Sequence, residues 1–297
     1  MADKSFQKDE VIFRQGDAAD SFYQITGGSV GIFVNYNGKE DIRVNELRKG
    51  EIFGEMGVID AAPRSGSAIA LEDGTTVREV SAKEAVAFLQ DNPENVYALI
   101  KTLSKRLRSL TEEYDKAKET AEMLNIEGPG TDEKLYSSLE KYTSVYKNGR
   151  PVESAEVARE EENHSKGFSK NVVSYPKGTV ICKEGDTVKC MYDVHWGRLG
   201  VFSHYGEPNQ VQLTTLGTND FFGEMGMIDD APRSATVVAL DDGTTVEIIY
   251  PEDLAELFEK NPMKIDMILR HISKRLRTLT MQYYDICEKI SERAGRA

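Results

Sequence analysis

The chain is short of basic residues, of cysteine and of histidine, and it contains no long apolar run. Lysine and arginine number 37 against 50 aspartates and glutamates, a formal net charge of −13. Nucleic-acid backbones and anionic membrane surfaces recruit basic faces, so neither is expected as a main partner. A local anion site is still compatible with this charge, because one arginine and a few backbone N–H groups hold a single phosphate inside an acidic protein. No window approaches the ~20 apolar residues of a membrane span. The start, Met1-Ala2-Asp3-Lys4-Ser5, leads into charged sequence without the apolar centre of a secretory signal. Cys182, Cys190 and Cys287 are odd in number and widely spaced, which fits neither a disulfide framework nor a zinc site. Free thiols in a reducing cytoplasm are therefore expected. The four histidines, His164, His195, His204 and His271, show no ligand spacing, so no metal site is expected. Neither a nucleophile–base arrangement nor a Walker-type loop is found, and catalytic residues are not expected.

What the chain has is a repeat. Residues near 6–116 align without a gap on residues near 175–285 at a constant offset of 169. Gly16-Asp17 falls on Gly185-Asp186, Gly28 and Gly31 on Gly197 and Gly200, and Phe53-Gly54-Glu55-Met56-Gly57 on Phe222-Gly223-Glu224-Met225-Gly226. Pro63-Arg64-Ser65 falls on Pro232-Arg233-Ser234, Asn92-Pro93 on Asn261-Pro262, and Lys105-Arg106-Leu107-Arg108 on Lys274-Arg275-Leu276-Arg277. The period is too long for a solenoid and marks a duplicated domain. The expected division is a first domain with its helix over 1–127, a helical connector over 128–168, and a second domain with its helix over 169–297.

Each copy begins with short β-branched or aromatic runs, such as Val30–Val34 and Ala68–Leu71, separated by turn signals at Gly16-Asp17, Gly27-Gly28, Asn37-Gly38 and Asp73-Gly74. Closely spaced strands of this kind predict a sandwich or barrel-like roll. The second half of each copy is helical. Ser81-Ala82-Lys83-Glu84 reads as a capping box, and Asn92-Pro93 and Asn261-Pro262 each start a long helix. These helices carry stripes at alternating steps of four and three. One runs through Val96, Ile100, Leu103, Leu107, Leu110, Tyr114, Ala117, Ala121 and Leu124; the other through Ile265, Ile268, Ile272, Leu276, Leu279, Tyr283, Ile286 and Ile290. The stripes outrun a small domain, which predicts helix–helix pairing, within one chain or between two. In the connector, Gly128-Pro129-Gly130 breaks the first helix, Thr131 caps another running to about Tyr146, and Glu153–Asn163 is an acidic helix or linker.

The segment from Phe53 to Ser67, with its copy from Phe222 to Thr236, is the candidate site. Gly54-Glu55-Met56-Gly57 supplies flexible backbone able to turn N–H groups toward one point. Arg64, nine residues after Glu55, offers a fork matched to phosphate oxygens, and Ser65 adds a hydroxyl and an N–H. An ionised Glu55 only accepts, so it suits a sugar hydroxyl and repels phosphate. Together they suit a ligand with both groups, such as a ribose phosphate. The bland alternative is a surface salt bridge between Glu55 and Arg64, disfavoured by the repetition of the pair as Glu224 and Arg233.

The stretches FGEMGVIDAAPRSGS and FGEMGMIDDAPRSAT closely resemble the phosphate-binding cassette of cyclic-nucleotide-binding domains, the family of the catabolite-activator regulators and the regulatory subunits of cyclic-AMP-dependent kinase. The resemblance implies a mainly β fold with helices: two eight-stranded β-rolls of jelly-roll type, each followed by a long C-terminal helix. It implies Gly54, Glu55, Met56, Arg64, Ser65 and Gly66, with Gly223, Glu224, Met225, Arg233, Ser234 and Ala235, as ligand-binding residues. Glu55 and Glu224 would accept from the ribose 2′-hydroxyl, and Arg64 and Arg233 would pair with the cyclic phosphate. The base would lie toward the long helix, against Thr111 and Thr280 or else Ser109 and Thr278. Tyr114 and Tyr283 or Tyr284 either stack on the base or belong to the helix seam.

Three departures stand out. Glycine at 57 and 226 replaces an alanine common in the family, a change expected to be tolerated. Ser65-Gly66-Ser67 differs from the commoner Ser234-Ala235-Thr236 and points to weaker or altered binding in the first copy. The first copy also starts at once, at Phe6, without the family's helical lead. On this reading neither a helix-turn-helix after the last helix nor a basic inhibitor segment before the first roll is expected, and the sensing part is the part the resemblance covers. The expected function is a cytoplasmic sensor of cyclic AMP (or cyclic GMP) that signals to a partner protein through its helices, with no catalytic cofactor. A scaffold whose rolls no longer bind nucleotide is the competing reading, and the intact acid and arginine in both copies speak against it.

Overall fold

A computed structural model of the chain describes residues 2–34, 36, 42–59, 61–91, 93–127, 169–228 and 232–294. The connector features expected between Gly128 and Asn163 lie outside the described residues, as do Asn37-Gly38 and Asn92.

Roll 1 is built from β1 (Ala2–Phe6), β2 (Val11–Phe13), β3 (Ser21–Gly27), β4 (Ser29–Val34), β5 (Ile42–Arg48), β6 (Ile52–Phe53), β7 (Ser67–Ala70) and β8 (Thr75–Ser81). These eight strands form two four-stranded antiparallel sheets, ordered β1-β8-β3-β6 and β2-β7-β4-β5. Roll 2 repeats the plan with β9 (Val172–Tyr175), β10 (Val180–Cys182), β11 (Met191–Trp196), β12 (Leu199–Ser203), β13 (Val211–Leu216), β14 (Phe221–Phe222), β15 (Thr236–Ala239) and β16 (Thr244–Ile249). Its sheets run β10-β15-β12-β13 and β14-β11-β16-β9. The two eight-stranded rolls implied by the resemblance are thus present. The β3–β4 turn shows why its glycine is needed. Gly28 has φ +74°, and a Cβ there would lie 2.9 Å from the Thr75 Cα; Gly197 faces Thr244 in the same way at 3.0 Å.

Side chains alternating inward from the two sheets make each core. Tyr23, Ile25, Val30, Leu47, Phe53, Ala68 and Val77 cluster in roll 1, and Tyr192, Val194, Leu199, Phe222, Val237, Ala239 and Val246 with Cys182 and Cys190 in roll 2. Each large side chain buried this way contributes about 1.5–3 kcal/mol. The three cysteines are buried and none is disulfide-bonded.

Three helices belong to the first copy: α1 (Glu55–Ile59), α2 (Ala82–Asp91) and α3 (Pro93–Glu127). In the second copy α4 (Glu224–Ile228) is followed by a 3-10 turn at Pro251–Asp253, then α5 (Leu254–Lys260) and α6 (Pro262–Ala294). The Ser81–Glu84 cap forms with one difference from the expected box. Glu84 Oε2 accepts from the Ser81 N–H at 3.1 Å, and the Ser81 hydroxyl donates to that same oxygen at 2.7 Å. Asn261 caps α6 as expected, its Oδ1 accepting from the Lys264 N–H at 3.3 Å. No described helix is long and apolar enough to cross a membrane.

The chain divides into two compact units that do not follow the repeat. One contains roll 1 as far as Phe88, α3 from Arg106 onward and α6 from Ser273 onward; the other contains roll 2, α3 as far as Lys105 and α6 as far as Ile272. Within the first unit the two stripes meet. Ala117, Ala121 and Leu124 pack with Tyr283, Cys287 and Ile290, flanked by Leu110, Tyr114 and Ile286. Arg293 closes this seam, its Nη1 donating to the Ala121 carbonyl at 3.3 Å. Alanines at 117 and 121 leave room for the larger side chains opposite, so the seam packs small against large.

Candidate functional site

The cassette of roll 1 begins where β6 ends. Gly54, at φ +75°, turns the chain into α1, and Glu55 and Met56 are buried at its start. The chain returns through Pro63 to Arg64, whose backbone is clamped on both sides by the early Gly-Asp turn. The Arg64 N–H donates to the Asp17 carbonyl at 2.9 Å, and the Gly16 N–H donates to the Arg64 carbonyl at 2.9 Å. Asp17 in turn accepts from the Arg14 N–H through Oδ2 at 2.8 Å, which fixes the turn. Roll 2 repeats every bond. Arg233 N–H reaches the Asp186 carbonyl at 2.8 Å, Gly185 N–H the Arg233 carbonyl at 2.9 Å, and Lys183 N–H the Asp186 Oδ2 at 2.8 Å. The Gly-Asp turns carried this signal in their repetition; sequence reasoning read them only as turns.

The two arginine side chains are held alike. Arg64 donates from Nη1 to the Gly54 carbonyl and from Nη2 to the Ser21 carbonyl, both at 2.6 Å. Arg233 donates from Nη1 to the Gly223 carbonyl at 2.8 Å and from Nη2 to the Cys190 carbonyl at 2.6 Å, with Cys190 Sγ 3.3 Å away. Only 3 % of Arg64 and 6 % of Arg233 is exposed, and the Nε of each is buried without a hydrogen-bond partner. Among the described residues neither forms an ion pair. Burial pulls the Arg64 guanidinium below its ordinary range, against partly offsetting attraction from Tyr23, Asp20 and Glu55. The hydrogen-bond partners of the two arginines are neutral, backbone carbonyls and, for Arg233, the Cys190 sulfur.

Glu55 is 1 % exposed and pairs with Arg106 of α3, not with Arg64. Arg106 Nη1 donates to Glu55 Oε1 at 2.6 Å, and Oε2 has no hydrogen-bond partner among the described residues. The surface salt bridge between Glu55 and Arg64 is therefore excluded. One carboxylate oxygen is engaged and the other remains an acceptor for a hydroxyl donor. Arg106 was visible in the sequence only as part of the repeated Lys-Arg-Leu-Arg stretch. Glu224 is buried at the equivalent position.

The remaining cassette positions differ between copies. Ser65 is half-buried and Ser234 exposed. A Cβ at the buried Gly66 would lie 2.9 Å from the Phe33 carbonyl oxygen, so glycine answers a close strand approach there. Met56 is buried and Met225 half-buried. Ser67 and Thr236 play one role, accepting from the N–H groups of Gln15 and Glu184 at 3.0 Å. Gly57 is required in this conformation, whereas Gly226 faces only the Arg233 side chain. A Cβ at 57 would lie 2.3 Å from the Ala19 Cβ and 2.8 Å from the Ala62 carbonyl oxygen; a Cβ at 226 would lie 2.8 Å from Arg233 Nη1.

The expected base contacts lie on the long helices. Thr111 and Thr280 donate their hydroxyls to the carbonyls of Leu107 and Leu276, at 2.8 and 2.7 Å, which leaves the oxygens as acceptors. Tyr114 and Tyr283 sit in the seam. Thr111, Tyr114, Thr280 and Tyr283 all group with roll 1. Tyr284 is buried, and desolvation pushes its phenol up to about 12.

One cluster was missed. Asp193, His195 and Glu247 place ligand-type atoms within 4.8 Å of one another. No sequence spacing announces it, because strand register brings it together. The Lys264 ammonium lies 3.0 Å from Asp193 Oδ2 and also bonds Glu247, so the cluster already holds a cation of its own.

Two antiparallel rolls, each with a buried arginine that forms no ion pair among the described residues and a buried glutamate in the same cassette, define a tandem β-roll protein. The family is then specific: the cyclic nucleotide-binding domain matches residues 3–92 and again residues 172–261, and the chain belongs to that family. A cAMP-dependent protein kinase regulatory subunit of Blastocladiella emersonii is 26 % identical over 239 residues, covering 80 % of this chain and 48 % of that protein. One from Debaryomyces hansenii is 28 % identical over 242 residues, covering 81 % of this chain and 42 % of its own. The chain spans about half the length of the relatives it matches. Among solved structures, the regulatory domain of Toxoplasma gondii PKA with cAMP is 18 % identical and covers 89 % of this chain and 85 % of that one, at a TM-score of 0.27.

Proposed function

We propose that the chain is a cyclic-nucleotide sensor, with cyclic AMP as the regulatory ligand of both cassettes. The observation that carries this reading is the pair of buried arginines, Arg64 and Arg233, lacking an ionic partner among the described residues. The cyclic phosphate supplies the missing anion at each. Glu55, with one oxygen engaged by Arg106 and one unpartnered, accepts the ribose hydroxyl. Backbone N–H groups at Ser65-Gly66 and Ser234-Ala235 complete the cradle. Thr111, in the same unit as the first cassette, presents a hydroxyl oxygen able to meet a base edge. The names of the relatives support cyclic AMP and suggest a protein kinase catalytic subunit as the class of partner.

In this reading the protein does no chemistry. Ligand binds one arrangement of roll and helix better than another and so shifts the population of the helices that meet the partner. The seam of α3 and α6 supports intrachain pairing as the frame for that shift. The test is a melting curve with millimolar cyclic AMP, cyclic GMP or 5′-AMP. A ligand at 100 times its dissociation constant adds about 2.7 kcal/mol to the unit that binds it. Cyclic AMP is expected to raise the transition and 5′-AMP to leave it in place. A folded protein that no cyclic nucleotide stabilises would return the chain to the scaffold reading.

A further inference from the structure

The register of roll 2 sets Asp193 of β11 directly opposite Glu247 of β16 on a buried face. Two like charges facing across a ladder repel, and these are 0 % and 1 % exposed. Two cations resolve the conflict. Lys264, on the first turn of α6 and itself 1 % exposed, places Nζ 3.0 Å from Asp193 Oδ2 and donates to Glu247 Oε2. His195, two residues along the same face as Asp193, places Nε2 3.3 Å from both Asp193 Oδ2 and Glu247 Oε2. The Lys170 N–H donates to Glu247 Oε1 at 2.9 Å, and Lys264 Nζ donates to Ser169 Oγ at 3.3 Å. The Lys170 ammonium turns away, to Asp253 and Glu256.

We propose that Lys264 is a positioning residue that pins the first turn of α6 to strands β11 and β16 through a buried four-charge latch built only in the second copy. In roll 1 the four equivalent positions are Gln24, Thr26, Arg78 and Asn95, which cannot form it. Withdrawing the helix would strand two carboxylates in the interior, so the latch holds the helix start while the rest of α6 is free to respond. The charges agree with this geometry. The Asp193 and Glu247 carboxylates, each 3.3 Å from Nε2, raise the His195 imidazole to about 9, so it stays protonated and the four charges sum to zero. Burial pushes Asp193 and Glu247 upward, but His195 and Lys264 outweigh it and hold both below the carboxylate range. The stabilisation from His195 is therefore complete below its ordinary value and lost as pH rises through about 9.

The test uses the full chain without nucleotide, so it stands apart from the sensor reading. Hydrogen exchange is compared for wild type, Lys264→Met, and a graft of the roll 1 residues (Asp193→Gln, His195→Thr, Glu247→Arg, Lys264→Asn). Both variants are expected to speed exchange in residues 262–272 by roughly tenfold or more while α2 stays unchanged. Between pH 7.5 and 10 the wild-type melting temperature should fall further than that of the graft. Because roll 1 folds with the grafted residues, the graft decides if Lys264→Met fails to fold. Wild-type exchange in 262–272 of the graft, or an equal alkaline loss in both proteins, would overturn the proposal.

Discussion

In roll 1 the Arg64 guanidinium lies over the Phe13 ring, 4.3 Å from its centroid, with Tyr23 at 5.8 Å. In roll 2 the position of Phe13 is held by Cys182, and Arg233 has the Tyr192 ring at 5.6 Å. The backbone clamps on the two arginines match bond for bond, while the side chains beneath them do not. Duplication has thus preserved the direction of each fork and let the surface under it diverge. The same holds one shell out. Tyr23 in roll 1 donates to Glu79, which also pairs with Lys4 at 2.7 Å; in roll 2 Tyr192 shares the apolar core cluster with Cys182 and Cys190. Site 1 is a polar and aromatic setting, site 2 a thiol-lined one.

The largest effect that would sharpen this comparison lies in the ring stacks. Phe53 stacks on both Phe13 and Tyr23, at 5.9 and 5.3 Å, whereas Phe222 stacks among the described residues on Tyr192, at 4.5 Å. Phe53→Ala and Phe222→Ala should each cost about 3–5 kcal/mol in chemical denaturation. The first should cost more by about 0.5–1.5 kcal/mol for its additional ring partner; equal costs would mean the extra aromatic contributes nothing. Next come the glycines. Gly57→Ala should destabilise roll 1 by about 1–3 kcal/mol, because the new Cβ meets the Ala19 Cβ and a carbonyl. Gly226→Ala meets only the Arg233 side chain, so it should cost less stability than Gly57→Ala and act mainly by shifting Arg233 and weakening ligand binding at the second cassette, as titration would reveal. Smaller still, Phe13→Leu should weaken site 1 by about 2- to 30-fold through loss of the ring beneath Arg64. Cys182→Ala should leave site 2 within a few-fold of wild type.

Much of this was legible in the sequence, and the reasons are physical. The offset of 169, the hairpin glycines and the Asn-Pro helix starts are local signals, and the rolls and long helices follow from them. Glu55 and Arg64 were identifiable because acceptor and fork recur at one spacing. Their partners were not. Arg106 reaches Glu55 across 51 residues, and the Gly16-Asp17 turn grips Arg64 across 47. Such contacts are set by how strands close into a roll, which periodicity does not encode. The Asp193, His195, Glu247 and Lys264 cluster was hidden for the same reason, since strand register and one helix turn assemble it. The helix stripes predicted a seam but not that α3 and α6 would each divide between two units near Arg106 and Ser273. A stripe shows that a face is buried, not what buries it.

The central claim is that each buried arginine awaits an anion, and calorimetric titration tests it most directly. Wild type titrated with cyclic AMP should show two sites per chain, Arg64→Ala one and Arg233→Ala the other, each loss matched by retention of the second site. Two sites surviving in either variant, or none in folded wild type, would contradict the account.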